Sequence, residues 1–427
     1  MLFYDLLYFF AIIIALPFVA KFLFNTKYRA ILKHRLSPNI PTSNTKRIWI
    51  HAVSVGEVRS LKNLLENLNG KKNNETSNIV LTVTTPSGYE FAKQEYKSIS
   101  VINAPLDFSF TIKKFIKHIN PQLLILNELE MWPNWLMIAK KKNIPILLVN
   151  GRISDVAFKR YKRYRFFLKQ FFNKIDRFLV QAETYRDRFL ELGIPAEKIS
   201  VCGNIKADEA FNAVEHLPPD TEIFKTLGIS QTNHRKIFTV ASSHLTDEQL
   251  VIPIIGNFTR EYLFIIVPRH LTRIEEIEKL LEKYNLSYTT WSKGNKDGKS
   301  KETCDVLIFD RMGYLFNVLE ISDIVFMGGT LEQKIGGHNL YEPAALGKPI
   351  VGGPFYNNFP AIGGELVSKG VYRVTDTPET LARFLGEAKG NTGKIDHDRI
   401  RQDGIHAVST KRGSIQCILE EIHRSIT

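Results

Sequence analysis

The chain is poor in cysteine. Only Cys202, Cys304 and Cys417 occur in 427 residues. They lie far apart and lack metal-ligand spacing, so neither a zinc site nor a disulfide framework is indicated, and a reducing compartment fits. G-x-G-x-x-G and the Walker P-loop are also missing, which removes the usual support for a dehydrogenase or an NTPase. There is no repeat of solenoid period and no extended low-complexity tract. The net charge of +13 would attract nucleic acid, anionic membrane or phosphorylated substrates alike. No recognised nucleic-acid module accompanies it, so a membrane-tethered nucleic-acid-binding protein rests on charge alone. Apolar residues at 44% and charged residues at 24% are ordinary for a folded chain, and the length suits two domains better than one core.

What is present begins with Leu2–Ala20, LFYDLLYFFAIIIALPFVA. That apolar run has about the length needed to cross a bilayer core. Asp5 stands near its outer end, where a charge costs least. Lys21, Lys27, Arg29, Lys33 and Arg35 follow it, so the positive-inside rule leaves the bulk of the chain in the cytoplasm. A cleaved secretory signal would carry its positive charges ahead of the run. The expectation is a single N-terminal anchor helix over residues 1–24, spanning or lying in the interface.

Beyond Pro41, short β-branched runs alternate with helix-period stretches. Arg47–Val53, Asn78–Thr84, Leu123–Leu126, Ile146–Val149 and Arg177–Val180 read as strands, with helices such as Phe108–Ile119 and Phe158–Asn173 between them. The polar stretch His216–Asp220 (HLPPD) reads as a linker. A second series runs through Lys236–Val240, Leu263–Val267, Val306–Phe309, Ile324–Met327 and Pro349–Val351. This alternation predicts two doubly wound, Rossmann-like α/β domains facing a cleft, with ligands at the carboxyl ends of the strands. Residues 36–210 are expected to form the N-terminal domain and 211–405 the C-terminal domain. Residues 406–427 are a terminal helix whose return to the first domain is left open.

Five strings carry chemistry. Gly336–Pro349 (GGHNLYEPAALGKP) follows the strand Asp323–Met327 and the break Gly328-Gly329-Thr330. Glycines ahead of a helix let backbone N–H groups approach an anion, so this reads as a phosphate seat, with Glu342 placed to bind ribose hydroxyls. Asn339-x-x-Glu342 also fits a capping box. Arg269 and His270 follow a strand, where an Arg can bind phosphate bidentately. Asp310-Arg311-Met312-Gly313 ends another strand and offers backbone to a base. In the first half, Glu57 follows the first strand. It is placed to act as a base for a hydroxyl, though Ser54-x-x-Glu57 is a capping-box pattern too. Glu128 and Glu130 share one side if the strand persists past Leu126, and only one faces the cleft if the chain turns. Paired carboxylates also occur in glycoside hydrolases, a reading that the anchor and the nucleotide clasp oppose.

Taken in order, HAVSVGEV, NELEMWPN, VCGNIKAD, VPRH, DRMG, GGHNLYEPAALGKP and GGPFYNNF resemble the bacterial 3-deoxy-D-manno-octulosonic acid (Kdo) transferases over nearly the whole chain. The resemblance implies the two-domain GT-B architecture and inverting, metal-independent transfer of Kdo from a CMP-Kdo donor to the lipid A precursor (lipid IVA), in lipopolysaccharide inner-core synthesis at the inner face of the bacterial cytoplasmic membrane. No cofactor, metal or nucleic-acid partner is implied. It assigns the catalytic base to Glu57 and acceptor binding or support to Glu128, Glu130, Arg152 and Lys206. Donor binding falls to Arg269, His270, Met312, Gly313, Gly337, His338, Asn339 and Glu342. His51 sits inside its strand and reads as structural. Where the family has D-T-M-G-E, this chain has Tyr314 after Gly313, which leaves the backbone contacts but not the acidic side chain. A GT-B transferase using another sugar nucleotide would carry a similar clasp.

Two segments stay open. Phe158–Lys174 places Tyr161, Tyr164, Leu168 and Phe171 on one helical face, with Lys159, Arg160 and Arg163 largely off it. Such a helix suits an anionic membrane surface, or simply covers a core. Asp396-His397-Asp398 has no strand before it and reads as the start of a helix, with no metal assigned.

Overall fold

The computed structural model describes residues 2–23, 26–69, 78–227, 229, 235–293, 304–389 and 396–426. The chain divides into two compact units, Met1–Ile205 with Gly413–Thr427, and Lys206–Arg412. The stretch 216–220, expected as a linker, lies inside the second unit between the helices Ile205–Glu215 and Asp220–Leu227.

The first unit is a seven-stranded sheet in the order β3-β2-β1-β4-β5-β6-β7. Its strands are β1 Arg47–Ala52, β2 Ile79–Val83, β3 Ser100–Asn103, β4 Pro121–Asn127, β5 Ile146–Gly151, β6 Arg177–Val180 and β7 Ile199–Val201. Every pairing is parallel. All five residues of β2 are buried, as a parallel strand covered on both faces requires. Trp49, Leu124 and Leu126 pack into one core with Trp135 and Phe172, while Ile50, Leu81 and Ile125 pack into the other.

The second unit repeats the plan in the order β10-β11-β9-β8-β12-β13-β14. The strands are β8 Lys236–Ser243, β9 Tyr262–Pro268, β10 Tyr288–Thr290, β11 Val306–Ile308, β12 Ile324–Met327, β13 Ile350–Gly352 and β14 Tyr372–Val374. The four strands with no counterpart in the sequence reading, β3, β7, β10 and β14, are the four sheet edges. Each is three or four residues long and partly open to solvent. An edge strand buries less, so it carries no continuous apolar run to read.

The N-terminal segment departs from the expected span. It forms a helix, Leu2–Leu23, followed by a second, Thr26–Leu36. Among the described residues no helix is long and apolar enough to cross a membrane. Asp5 Oδ1 accepts hydrogen bonds from Ser109 N at 2.8 Å and Asn134 Nδ2 at 2.9 Å. The helix Ser109–Ile119 has Phe108 at its N-cap and no side-chain cap of its own, so Asp5 supplies the missing acceptor. The Tyr8 ring meets Phe108 edge-on at 5.0 Å. At the far end of the hairpin, Arg35 Nε donates to Ala104 O and Leu106 N to Arg35 O, both at 3.0 Å. Both ends are thus tied to the same stretch of the globular unit, and a spanning helix would put its first turn on the opposite side of a bilayer. Leu6, Leu7, Phe9, Phe10, Ile13 and Ile14 remain exposed. Residues 1, 24 and 25 and the side chains of Lys21 and Lys27, part of the expected anchor and its charge signal, lie outside the described residues.

Two more expectations are corrected. Phe158–Lys174 is not one helix but two, Asp155–Arg163 and Arg165–Phe172, broken at Tyr164. Phe171 is buried and Tyr161 and Leu168 pack on the core, but Tyr164 turns outward and Phe166 is 97% exposed. Cys202 and Cys417 form a disulfide, with Cα atoms 5.7 Å apart and a sequence separation of 215. No spacing rule reveals it, because the pair meets only when the helix Ser414–Ile426 returns to the first unit. There Ile415, Ile418 and Ile422 enter the core with Ile50, Leu81 and Ile125, and Arg177 pairs with Glu421 at 3.1 Å. Cys304 is buried, its thiol pKa raised by that burial.

Ile418 is fully buried. In reducing buffer, where the disulfide no longer tethers the helix, Ile418→Ala is expected to destabilise the first unit by about 2–5 kcal/mol, read as a lowered urea midpoint.

Candidate functional site

In both sheets the winding direction reverses between two central strands, β1 and β4 in one unit, β8 and β12 in the other. The loops leaving two such strands run to opposite faces and leave a crevice at the carboxyl ends, which is where open α/β sheets bind ligands. Most of the sequence-predicted residues lie beside these crevices in two groups, one per unit, while Met312 and Gly313 follow β11.

The first cluster is built on Glu57. Ser54 caps the helix Val55–Ser60 and accepts from Glu57 N at 3.4 Å. The Glu57 carboxylate accepts from Val53 N at 3.1 Å, Ser54 Oγ at 3.3 Å and Asn127 Nδ2 at 3.4 Å. The capping arrangement therefore exists, and it holds the carboxylate beside the end of β4. Burial, then the fields of Glu128 and Glu130, raise the Glu57 pKa to about 7 against the pull of its hydrogen bonds. A carboxylate in that range is suited to take a proton at neutral pH.

Glu128 follows β4 in a left-handed conformation, φ 56°. The chain does turn there, and still both Glu128 and Glu130 act on Glu57. Glu128 Oε2 accepts from Arg152 Nε at 2.8 Å, just past the end of β5. Glu130 has its pKa raised by burial, with the Trp132 side chain opposing and Glu128 adding. His51 lies fully buried in β1, with Nδ1 3.0 Å from Thr82 Oγ1 and its ring 4.8 Å from that of Trp135. Burial pushes its pKa down to about 3, so it stays neutral and structural, as read from its place in the strand.

The second cluster surrounds the glycine loop after β12. Gly329, Gly336 and Gly337 all have positive φ. A Cβ on Gly337 would stand 3.1 Å from Phe355 O and from the Thr330 methyl. The loop does not offer its amides as expected. Gly336 N donates to Glu332 O, Gly337 N to Gly329 O and His338 N to Gly328 O. Asn358 clamps it from outside through Ile335 O and Gly337 O, at 2.7 and 3.0 Å. What the turn presents is side chains. Asn339 Nδ2 donates to Glu342 Oε1 at 3.0 Å, and Asn339 Oδ1 accepts from Tyr341 N at 3.1 Å. The helix that follows, Tyr341–Ala345, is a little over one turn and its N-cap is Leu340. The expected capping box is thus replaced by a direct Asn–Glu bond, and little helix dipole is available.

Arg269 and His270 are exposed at the end of β9, with Arg269 N bonded to Ser243 O at the end of β8. His338 feels the charges of Arg269, Lys206 and His270. Lys206 was grouped with the acceptor residues, but it lies in the second unit, its ammonium 4.7 Å above the Phe359 ring. Gly313, φ 92°, has nothing within 4 Å of a would-be Cβ, and Met312 is half exposed. Beside them Arg311 stacks on Trp291 and Tyr314, at 5.2 and 5.4 Å. The departure at Tyr314 therefore has a packing partner in this chain. Asp396, by contrast, caps the helix His397–Ser409 through Arg399 N, the helix-start role read from sequence.

Sequence reading overlooked His244 and Asp247. His244 Nε2 lies 2.8 Å from His338 Nε2, the two rings tilted by 6°. Asp247 Oδ2 accepts from His244 N and from Gly329 N, each at 2.8 Å. The available signal was positional: the run KIFTVASS continues to Ser243, so His244 begins the loop at the crevice.

Residues 28–209 match the family described as 3-Deoxy-D-manno-octulosonic-acid transferase (kdotransferase). The chain is 35% identical over 390 residues to a bifunctional glycosyltransferase/methyltransferase of Fusobacterium nucleatum, covering 90% of this chain and 58% of that protein. It therefore spans a little over half of that relative. It is 32% identical over 374 residues to the 3-deoxy-D-manno-octulosonic acid transferase of Chlamydophila psittaci, covering 86% of this chain and 84% of that one. The structure resembles UDP-GlcNAc 2-epimerase from Neisseria meningitidis, with a TM-score of 0.61 at 14% identity over 89% of this chain and all of that one. That likeness shows a shared fold of two Rossmann-like units. With identity above 30% across more than four-fifths of a relative's length, the chain belongs to the 3-deoxy-D-manno-octulosonic acid transferase family.

Proposed function

We propose that the protein transfers Kdo from CMP-Kdo to the lipid A precursor in lipopolysaccharide inner-core synthesis, with Glu57 as general base. The observation that carries this reading is the Glu57 carboxylate, held at the carboxyl end of the central strand β1 with a pKa raised to about 7 by burial and by Glu128 and Glu130. In the reaction an acceptor hydroxyl attacks the anomeric carbon of Kdo, the bond to the CMP phosphate breaks, CMP departs, and Glu57 receives the hydroxyl proton. One displacement of this kind inverts the anomeric centre, and no step calls on a metal. Arg152, paired with Glu128, orients the carboxylate group around the base.

The second unit holds the donor. Arg269, His270, His338 and Asn339 receive the phosphate through side chains, and Gly337 lets the turn pass close to Phe355. Lys206 adds positive charge there. Glu342, fixed by Asn339, receives ribose hydroxyls. Gly313 and Met312 offer an open edge to the base.

The lipid acceptor calls for a membrane surface, and we assign this protein to the cytoplasmic face of the bacterial inner membrane. Its N-terminal hairpin is tied to the first unit through Asp5 and Arg35, so it dips into the interface with Phe9 and Phe10 rather than crossing. The exposed Phe166 and Phe167, among Arg160, Arg163 and Arg165, suit the same anionic surface.

The purified protein with CMP-Kdo and lipid A precursor is expected to form the Kdo-bearing lipid, and absence of product, or turnover only with another sugar nucleotide, overturns the reading. Glu57→Gln should lower turnover by about a hundred- to ten-thousand-fold while leaving CMP affinity unchanged. Because the base acts only when ionised, wild-type kcat/KM should climb with pH up to about 7 and then level off. Replacing Phe9 and Phe10 together with Ser should reduce sedimentation with anionic vesicles while turnover on detergent-dispersed acceptor persists.

A further inference from the structure

The His244–His338 contact is the feature of the second cluster that the proposed chemistry leaves unused. Its geometry limits the proton count. Nε2 faces Nε2 at 2.8 Å with the rings nearly coplanar. One nitrogen must carry the proton and the other must accept. In the neutral pair the accepting ring keeps its own proton on Nδ1. A further proton can go only to the remaining Nδ1, and the bond between the rings then becomes charge-assisted and stronger.

The rings are held in register from both sides of the crevice. Asp247, fully buried, joins the amide that starts the helix after β8 to the amide of Gly329 after β12. The surroundings are mostly positive. His244 faces His270, Arg273 and Arg269, with Glu332 opposing, while His338 faces Arg269, Lys206 and His270. Arg273 is largely neutralised by Glu248, at 2.7 and 3.0 Å. Burial and these cations push the His338 pKa down to about 3 and lower that of His244, which favours the neutral pair. An anion set against Arg269 and Lys206 reverses the sign of that field. The amides of Gly336, Gly337 and His338 are already bonded within the loop, which leaves side chains as the charged partners of an anion.

We propose that His244 is a positioning residue of the donor site, hydrogen-bonded to His338 so that the pair takes up one more proton when a nucleotide phosphate binds beside Arg269. This rests on the reading of the cluster as the donor phosphate site. The bound form then carries the raised pKa, so phosphate affinity grows as pH falls.

The test is calorimetric titration of CMP into the full-length wild type and His244→Gln at pH 6, 7 and 8, in two buffers of different ionisation heat. CMP's own second ionisation, near pH ~6, is common to both proteins and cancels in the comparison. Wild type should take up more protons than the variant on binding CMP. Its preference for pH 6 over pH 8 should exceed the variant's by about tenfold, within the roughly hundredfold that one linked proton can give over two pH units. Equal proton uptake and equal pH slopes in the two proteins overturn the role of His244 while leaving the donor site standing. Absence of CMP binding by wild type at every pH overturns the donor reading and this proposal with it. If His244→Gln does not fold, side-chain nitrogen spectra of wild type with and without CMP decide. A new Nδ1 proton on either ring is expected, and unchanged imidazole signals reject the idea.

Discussion

Parallel strands wound in opposite directions from a shared centre cannot have their carboxyl ends closed over by one connection. At β1/β4 and at β8/β12 the following segments leave toward opposite faces, and the crevice between them stays open. Four of the side chains described above hang from such an edge. Glu57 comes from the segment after β1, Glu128 from that after β4, His244 from that after β8 and His338 from that after β12. Glu128 N bonds to Val149 O in β5, and Arg269 N bonds to Ser243 O in β8. The ladder thus fixes the start of both loops, and the side chains inherit that rigidity.

Burying charge at such an edge has a consequence that recurs through the molecule. Glu57, Asp107 and Asp247 are each held near a pKa of about 7, burial being the largest cause each time. Asp107 and Asp247 use it structurally. Asp107 receives Asn134 N at 3.3 Å, and Asp247 ties two loops. Glu57 differs in having two further carboxylates acting on it. A like charge raises a carboxylate pKa and leaves a base ready to accept a proton. The same physics with opposite sign acts on His244 and His338, where neighbouring cations and burial favour the neutral rings.

The N-terminal hairpin shows how one polar residue redirects an apolar segment. Hydropathy alone reads residues 2–20 as a bilayer span, and Asp5 as a tolerated charge near its end. In the folded unit Asp5 is the cap of a helix that starts at Ser109. A carboxylate committed to backbone and amide donors is not left in hydrocarbon, and the first turn stays with the protein. The apolar residues beyond it remain open to an interface.

Much of the architecture was readable because parallel strands buried on both faces leave continuous β-branched runs. The ten strands read from sequence are the inner ones, whereas the four edges, short and half exposed, left no such mark. The ordered motifs located Glu57, Glu128, Glu130, Arg269, His338 and Glu342 as residues, and the capping spacing of Ser54 and Glu57 was also visible. Pairing between distant segments was not. Cys202 meets Cys417, Asp5 meets Ser109, and His244 meets His338 only after the sheets have set their strand order. Periodicity records what one segment buries, so by itself the sequence determined the class of fold and the family. Which segments face each other depends on non-local pairing, so only the tertiary structure decided that the amides of Gly336, Gly337 and His338 are bonded within the glycine loop.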